Sequence, residues 1–371
     1  MATTNGIDFL VKRDNLREGR FAPASAPDDV RVEPGSVLLR VDRFAFTANN
    51  VTYAVMGERM SYWDFFPAPE GWGRIPVWGF GTVLRSACDG VEAGRRYYGY
   101  FPMSSHVVMA PDRITPGGFS DGSAHRAHLH PLYNQYTLTR ATGDDRADAL
   151  QMLLRPLFIT SFVIEDMIAD ADFYGARSVA ISSASSKTGY GVAFQLAERK
   201  RDGANVEIVG LTSPRNLDFT RGLGVYDRVV AYDAIGSLPT EGGAVFVDMA
   251  NDAAVRAAVH RHYGEGLLYD CAVGLTHWER DASRVESALP GARPEVFFAP
   301  ARIKQRVRDW GPGGFEQRFA AAWQRLVDAL RGREDWLHVT FDEGPKAVER
   351  VYRDTLDGRT VPDEGRILSL G

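Results

Sequence analysis

Residues Ser182-Ser183-Ala184-Ser185-Ser186-Lys187-Thr188-Gly189 put more potential chemistry in a short span than any other stretch of this 371-residue chain. Hydroxyls, an ammonium and the N–H groups of a helix start can all satisfy phosphate oxygens, so Ser185, Ser186, Lys187 and Thr188 supply the types that a phosphate cradle needs. The segment follows apolar Val179-Ala180-Ile181 and precedes a helical pattern, which is where a doubly wound sheet holds a pyrophosphate. The usual G-x-G-x-x-G is absent, only Gly189 and Gly191 remain, and the alternative is a polar helix start with Ser and Thr caps. Lys187-Thr188 is similar to the end of a Walker A loop, but Ile181 and Ser186 stand where that motif needs glycines, which argues against an ATPase.

A second candidate is Leu211-Thr212-Ser213-Pro214-Arg215-Asn216, at the end of the next apolar run. An NAD site would place a carboxylate here for the ribose 2′-hydroxyl. A guanidinium with two hydroxyls and no carboxylate suits a 2′-phosphate instead, so Thr212, Ser213, Arg215 and Asn216 favour NADPH. Arg215 could equally sit in the first turn of a surface helix. His125, His128 and His130 alternate beside Arg126, but no Cys or carboxylate close in sequence completes a metal site, so no metal is expected there.

These segments need a frame. After Asp148 a helical pattern (Leu150, Leu153, Leu154, Leu157, Phe158) leads into alternating strand and helix signals, which predict a parallel sheet. Strands are expected at 178–182, 206–211, 228–231, 244–247, 267–273 and 295–299, and helices at 189–200, 216–223 and 252–263. Gly224 and Gly264 fall where helix ends favour a left-handed residue. Phe315, Phe319, Ala322, Trp323, Leu326, Val327 and Leu330 share one face of a further helix. Before Ala110 the chain reads as short strands between Gly/Pro turns, with alternation at Val37, Leu39 and Val41. Residues 114–134 lack periodicity and suggest a long surface loop or a domain crossing. The tail gives a strand (337–341), a helix (346–356) and a strand (366–370), expected to complete the first domain.

Composition narrows the function. With 44% hydrophobic and 25% charged residues the chain can bury a core of two-domain size. A net charge of −5 and no dense basic run argue against nucleic acid. The longest apolar stretch, 150–168, is broken by Arg155, Pro156, Glu165 and Asp166, and the N-terminus has no signal-peptide pattern, so no membrane role is expected. Two cysteines, Cys88 and Cys271, cannot build a disulfide framework or a four-ligand zinc site, and a cytoplasmic setting fits them.

Several segments together resemble the medium-chain dehydrogenase/reductase superfamily, nearest its zinc-free quinone-reductase and enoyl-reductase branches. They are Gly35 to Val41, Phe46-Thr47-Ala48-Asn49-Asn50, Gly79-Phe80-Gly81-Thr82-Val83, Phe194-Gln195-Leu196-Ala197, Leu223 to Val230, and Gly242 to Asp248. The resemblance implies a Rossmann doubly wound parallel sheet (141–331) plus a β-rich GroES-like substrate domain (1–140 and 332–371), with the active cleft between them. Neither the cysteine near Thr47 nor the His-Glu pair near Phe80 of the zinc branch is present, so the resemblance implies chemistry without zinc. The glycines of the cofactor turn are replaced by Ser185, Ser186 and Lys187, and Arg95 stands where the family usually has an acidic residue. Hydride transfer without a metal needs a proton donor near the developing anion. By the same resemblance Tyr62 is the first candidate and Tyr53 the second, with Asn50 as an orienting group. The alternative is that Tyr62-Trp63-Asp64-Phe65-Phe66 only lines an apolar pocket. Tyr136 and Asn134 become substrate contacts if their segment folds over the nicotinamide. The expected function is NADPH-dependent reduction of an enone, quinone or enoyl thioester. Carbonyl reduction, other redox chemistry of this branch, and a non-catalytic protein that keeps the fold are the alternatives. A small-molecule substrate is the expected partner, and a homodimer is left open.

Overall fold

The computed structural model describes residues 5–140, 143–273 and 289–371. The chain divides into two compact units, Met1–Leu153 with Val339–Gly371, and Leu154–His338. The expected α/β class is what the structure shows.

Unit 1 is built on β1 (Gly6–Lys12), β2 (Gly19–Ala24), β3 (Val37–Phe46), β4 (Trp72–Gly73), β5 (Pro76–Ser86), β6 (Arg96–Pro102), β7 (His106–Met109), β8 (Pro111–Thr115), β9 (Gly118–Asp121) and β10 (Gln135–Thr139). The returning tail adds strands His338–Glu343 and Glu364–Ser369, and the latter pairs antiparallel with β3, Ile367 opposite Ala45. Alternation in β3 is incomplete: Val37, Leu38 and Leu39 are all fully buried, because both faces of its first half are covered. Antiparallel pairing of β5 with β6 sets Trp78 opposite Tyr100 and Phe80 opposite Tyr98, so each pair shares a face.

Residues 114–134 are not one long surface loop. A hairpin of β8 and β9 opens the stretch, short 3-10 turns follow at Ala124–Arg126 and Pro131–Asn134, and β10 pairs with both β6 and β9. The anchor is Arg126, 1% exposed, whose Nε lies 3.2 Å from Asp121 Oδ2. Asp121 Oδ1 meanwhile accepts from Ala110 N, Ser123 N and Ser123 Oγ at 3.2, 3.0 and 2.6 Å. A buried ion pair whose remaining polar atoms are bonded holds a segment that carries little apolar periodicity.

Unit 2 carries β11 (Ser178–Ile181), β12 (Glu207–Thr212), β13 (Arg228–Ala231), β14 (Ala244–Asp248), β15 (Leu267–Val273) and β16 (Pro294–Phe297). They form a parallel sheet in the order β13-β12-β11-β14-β15-β16, the doubly wound arrangement with its switch point between β11 and β14. Gly224 and Gly264 have φ of +67° and +53°, as their places after helices require. Helix Gly314–Ala329 buries Phe315, Phe319, Ala322 and Leu326 on the expected stripe. Helix Ala299–Trp310 precedes it, unforeseen because it is pinned by charge: Arg302 and Arg306 bind Asp166 at 2.7 Å each.

Candidate functional site

In unit 2, β11 ends at Ile181 and the chain turns through Ser182 to Ser186 into helix Lys187–Arg201. Ser182 is fully buried at the switch point. Its Oγ donates to Asp248 Oδ1 at 2.9 Å and accepts from Met249 N and Ala250 N at 2.9 and 3.0 Å. Arg256 holds the other oxygen of Asp248 through Nε and Nη2 at 2.9 and 2.6 Å. The ends of β11 and β14 are thereby locked together. Ser183 takes φ of +49°, a left-handed conformation that costs a non-glycine roughly 1 kcal/mol, and its N–H donates to the Tyr232 hydroxyl at 3.0 Å. Neither Tyr232 nor the Asp248–Arg256 pair carries a sequence signal that places it beside this turn.

The two remaining glycines have packing roles. A Cβ on Gly189 would lie 2.7 Å from the Ser183 carbonyl oxygen, and one on Gly191 would lie 2.5 Å from Ser161 Oγ. They let the helix close on its own turn and on helix Asp145–Asp170.

The polar side chains nominated for the cofactor separate into two groups. Ser186 caps the helix, its Oγ accepting from Gly189 N at 3.1 Å. Ser185, Thr212 and Asn216 satisfy one another: the Ser185 hydroxyl lies 3.4 Å from Thr212 Oγ1 and accepts from Asn216 Nδ2 at 3.0 Å. That clasp ties the turn to the end of β12, so these four position the loops before they can meet any ligand. Ser213 and Arg215 differ. Ser213 Oγ is buried with no hydrogen-bond partner, and Arg215 is exposed with no ion pair, both among the described residues. A buried hydroxyl without a partner costs about 1–3 kcal/mol, and a phosphate oxygen would relieve it. Lys187 opens the helix, and no carboxylate stands between Thr212 and Leu217. This donor set fits the 2′-phosphate and pyrophosphate of NADPH.

In unit 1 the nominated tyrosines fall into an aromatic cluster. Tyr53 comes from helix Ala48–Val55, Tyr62 and Phe65 from the turn Tyr62–Phe65, Trp78 from β5 and Tyr100 from β6. Tyr62 and Tyr53 are buried, their ring centroids 4.7 Å apart and their planes tilted by 43°. Trp78 Nε1 donates to the Tyr53 hydroxyl at 3.3 Å, and the hydroxyls of Tyr62 and Tyr133 share a hydrogen bond of 3.2 Å. The Tyr100 hydroxyl is buried without a partner of normal geometry among the described residues. Burial pushes the phenols of Tyr53, Tyr62, Tyr100 and Tyr133 above their ordinary value, so all stay protonated at neutral pH. Such phenols can donate a proton but cannot act as bases.

Two of the nominated side chains are engaged within the protein. Asn50 Oδ1 accepts from Thr47 N at 2.8 Å in a capping box, and its Nδ2 donates to the Pro76 carbonyl at 3.0 Å. Tyr136 is a core residue, 1% exposed, packed so tightly on Gly99 that a Cβ there would lie 2.4 Å from its ring. Its hydroxyl donates to the Tyr100 carbonyl and accepts from Arg126 Nη1 at 3.1 Å, and burial pushes its phenol up to about 12. Asn134 is also buried, its Oδ1 without a partner among the described residues. The three histidines go separate ways: His125 to the Phe65 carbonyl, His128 to Asp64 at 3.0 Å, and His130 to Leu132 N. Among the described residues no cluster of His, Cys, Asp or Glu could hold a metal, and no helix is long and apolar enough to cross a membrane.

A family model described as "Protein of unknown function (DUF2855)" matches residues 44–361. CurA from Vibrio vulnificus, solved in complex with NADPH, superposes with a TM-score of 0.62 at 10% identity, covering 98% of this chain and 99% of that one. A putative NADPH:quinone reductase from Mesorhizobium loti gives 0.62 at 12% identity, covering 99% of each. The CurK enoyl reductase gives 0.58 at 12%, covering 99% and 100%. At these identities the likeness establishes the fold alone, one shared with proteins described as enoyl and quinone reductases. The DNA replication and repair protein RecF of Pseudomonas fluorescens (strain Pf0-1) is 41% identical over 76 residues, 19% of this chain and 20% of that protein. A match over a fifth of each chain does not carry the relative's activity here.

Proposed function

The chain belongs to the family described as "Protein of unknown function (DUF2855)", and from that premise we propose that it is a reductase that uses NADPH to saturate an activated alkene. The observation that carries this reading is the unpartnered Ser213 hydroxyl and unpaired Arg215 directly after β12. At that place in a doubly wound sheet a cofactor presents its adenine ribose, and a carboxylate would repel a 2′-phosphate. Similar folds titled as NADPH complexes or NADPH:quinone reductases support it. When bound, NADPH supplies a hydride.

The protein's part is positional and protic. Ser213 and Arg215 bind the 2′-phosphate, and Lys187 with the helix start meets the pyrophosphate, where the partial positive charge of the helix N-terminus adds to the ammonium. The Ser185–Thr212–Asn216 clasp and the Ser182–Asp248–Arg256 network hold those groups in register. Tyr62 gives a proton to the anion that hydride addition creates, an enolate from an enone or enoyl thioester and a hydroquinone anion from a quinone. Its buried phenol is neutral when that anion forms, as an acid must be.

The two cations should separate on substitution. Arg215→Ala is expected to weaken NADPH by about 1.5–3 kcal/mol, the range for a charge-assisted hydrogen bond, and to leave NADH nearly unchanged. Lys187→Ala is expected to weaken both nucleotides through their shared pyrophosphate. Calorimetric titration of each variant with each nucleotide checks this. Equal weakening of NADPH and NADH by Arg215→Ala would remove 212–216 as a 2′-phosphate site.

A further inference from the structure

Tyr133 occupies an unusual position within unit 1. Its ring is surrounded by those of Tyr100, Phe65, Tyr62, Trp78 and Tyr53, at centroid distances of 5.0, 5.4, 5.8, 6.1 and 6.4 Å. The surrounding rings are fixed on β5, β6, the helix Ala48–Val55 and the turn Tyr62–Phe65. Tyr133 instead rides on the four-residue turn Pro131–Asn134, which carries no ladder pairing of its own. The ring is only partly buried, whereas Tyr100 beneath it is fully buried. The seat is also imperfectly satisfied among the described residues: Tyr100 keeps a buried hydroxyl without a bond of normal geometry, and the next residue of the turn, Asn134, keeps a buried amide oxygen without a partner. A packed core residue of long standing is expected to leave neither.

We propose that the space filled by the Tyr133 ring is a binding site for a neutral, flat six-membered ring bearing an oxygen, and that Tyr133 occupies it as an intramolecular stand-in for that ligand. The phenol already has the features the cage selects. Its faces and edges meet aromatic rings at stacking and edge-to-face distances. Its oxygen meets the Tyr62 hydroxyl, and the Tyr100 hydroxyl, which faces Tyr53 without a bond of normal geometry among the described residues, offers a second bond to a ligand with a carbonyl. A simple phenol, a cyclohexenone and a quinone share this chemistry. A phenolate does not, because the burial that keeps the four tyrosines protonated would equally disfavour a charged ring. The turn would swing outward while Arg126, bound to Asp121 at 3.2 Å, keeps the start of the segment in place. The ligand then competes with a tethered group of the same kind, so its apparent affinity falls by the fraction of time that the cage is open.

The inference rests on the reading of Tyr62 as the group that faces substrate. Its test uses no nucleotide, so a failed NADPH assignment would not alter the outcome. The full chain is titrated calorimetrically with 4-methylphenol. Wild type is expected to bind it saturably, and Tyr133→Ala about tenfold or more tightly, because the competitor is gone. Tyr133→Phe, which keeps the ring but loses the bond to Tyr62, should tighten binding about two- to tenfold, the value of one net hydrogen bond. Adding Tyr62→Phe to Tyr133→Ala should reverse part of the gain. Binding to Tyr133→Ala with none to wild type would mean only a hole cut in a core, and overturns the proposal. So does a folded Tyr133→Phe that binds no more tightly than wild type, a result that stands alone if the alanine variant fails to fold.

Discussion

Replacing Arg126 by Leu is expected to cost unit 1 about 3–5 kcal/mol of stability, the largest single-residue loss anticipated in that unit. The guanidinium and Asp121 are 1% and 2% exposed, so removing one leaves the other as an uncompensated buried charge. More than the pair is lost. Arg126 Nε also reaches the Phe65 carbonyl at 3.2 Å, Nη1 reaches the Tyr136 hydroxyl at 3.1 Å, and the guanidinium stacks 4.6 Å from the Phe66 ring. Those contacts join the 123–134 segment to the turn that presents Tyr62, so ligand binding in the aromatic cage should weaken along with the fold. Denaturant unfolding of wild type, Arg126→Leu and Arg126→Leu/Asp121→Asn measures it. The double variant, which leaves no buried charge, is expected to recover more than half of the loss. A single variant within about 1 kcal/mol of wild type would show that Asp121 finds another partner.

Tyr62→Phe is expected to lower kcat by roughly 10²-fold while leaving NADPH affinity nearly unchanged, because the phenol acts only when the substrate anion forms. Burial keeps this phenol above the ordinary tyrosine value, so the acid form persists as pH rises through 10. In wild type, kcat should therefore not fall on the alkaline side until above the pH where a free tyrosine ionises. Tyr53→Phe should matter less, since the Tyr53 hydroxyl is the acceptor of Trp78 Nε1 at 3.3 Å. Unchanged turnover in Tyr62→Phe, with Tyr53→Phe strongly impaired, would reverse the two assignments.

Legibility from sequence followed the physics of each element. The parallel strands of unit 2 are buried on both faces and read as apolar runs such as Val179-Ala180-Ile181 and Ala244 to Val247, all fully buried. Glycines after two helices marked their ends through positive φ. Helix Ala299–Trp310 was missed because it buries only Pro300 and Arg306, and it is held by guanidinium–carboxylate bonds to a distant helix that no periodicity reveals. The β8–β9 hairpin was missed because β8 is largely exposed and polar.

At the candidate site, residue type was legible and commitment was not. Ser185, Thr212 and Asn216 are polar groups in the expected loops, yet they bond to one another. Asn50 has the side chain of an orienting group and spends it on a helix cap. Tyr136 and Arg126 looked like loop residues, and each is 1% exposed. Tyr133, Trp78 and Tyr100 carry no shared sequence signal, since only the register of β5 with β6 and the turn at 131–134 bring their rings together. The pairing of Trp78 with Tyr100, two residues inside adjacent strands, is the one part that strand alternation could have revealed.

Nucleotide fluorescence with the wild-type protein decides whether the chain is an NADPH-dependent enzyme. Adding the chain to NADPH should strengthen and shift the emission, saturate near one nucleotide per chain, and show NADPH bound about tenfold or more tightly than NADH, the least that one guanidinium–phosphate bond provides. No saturable change with either nucleotide, or tighter binding of NADH, would show that the chain is not an NADPH-dependent enzyme.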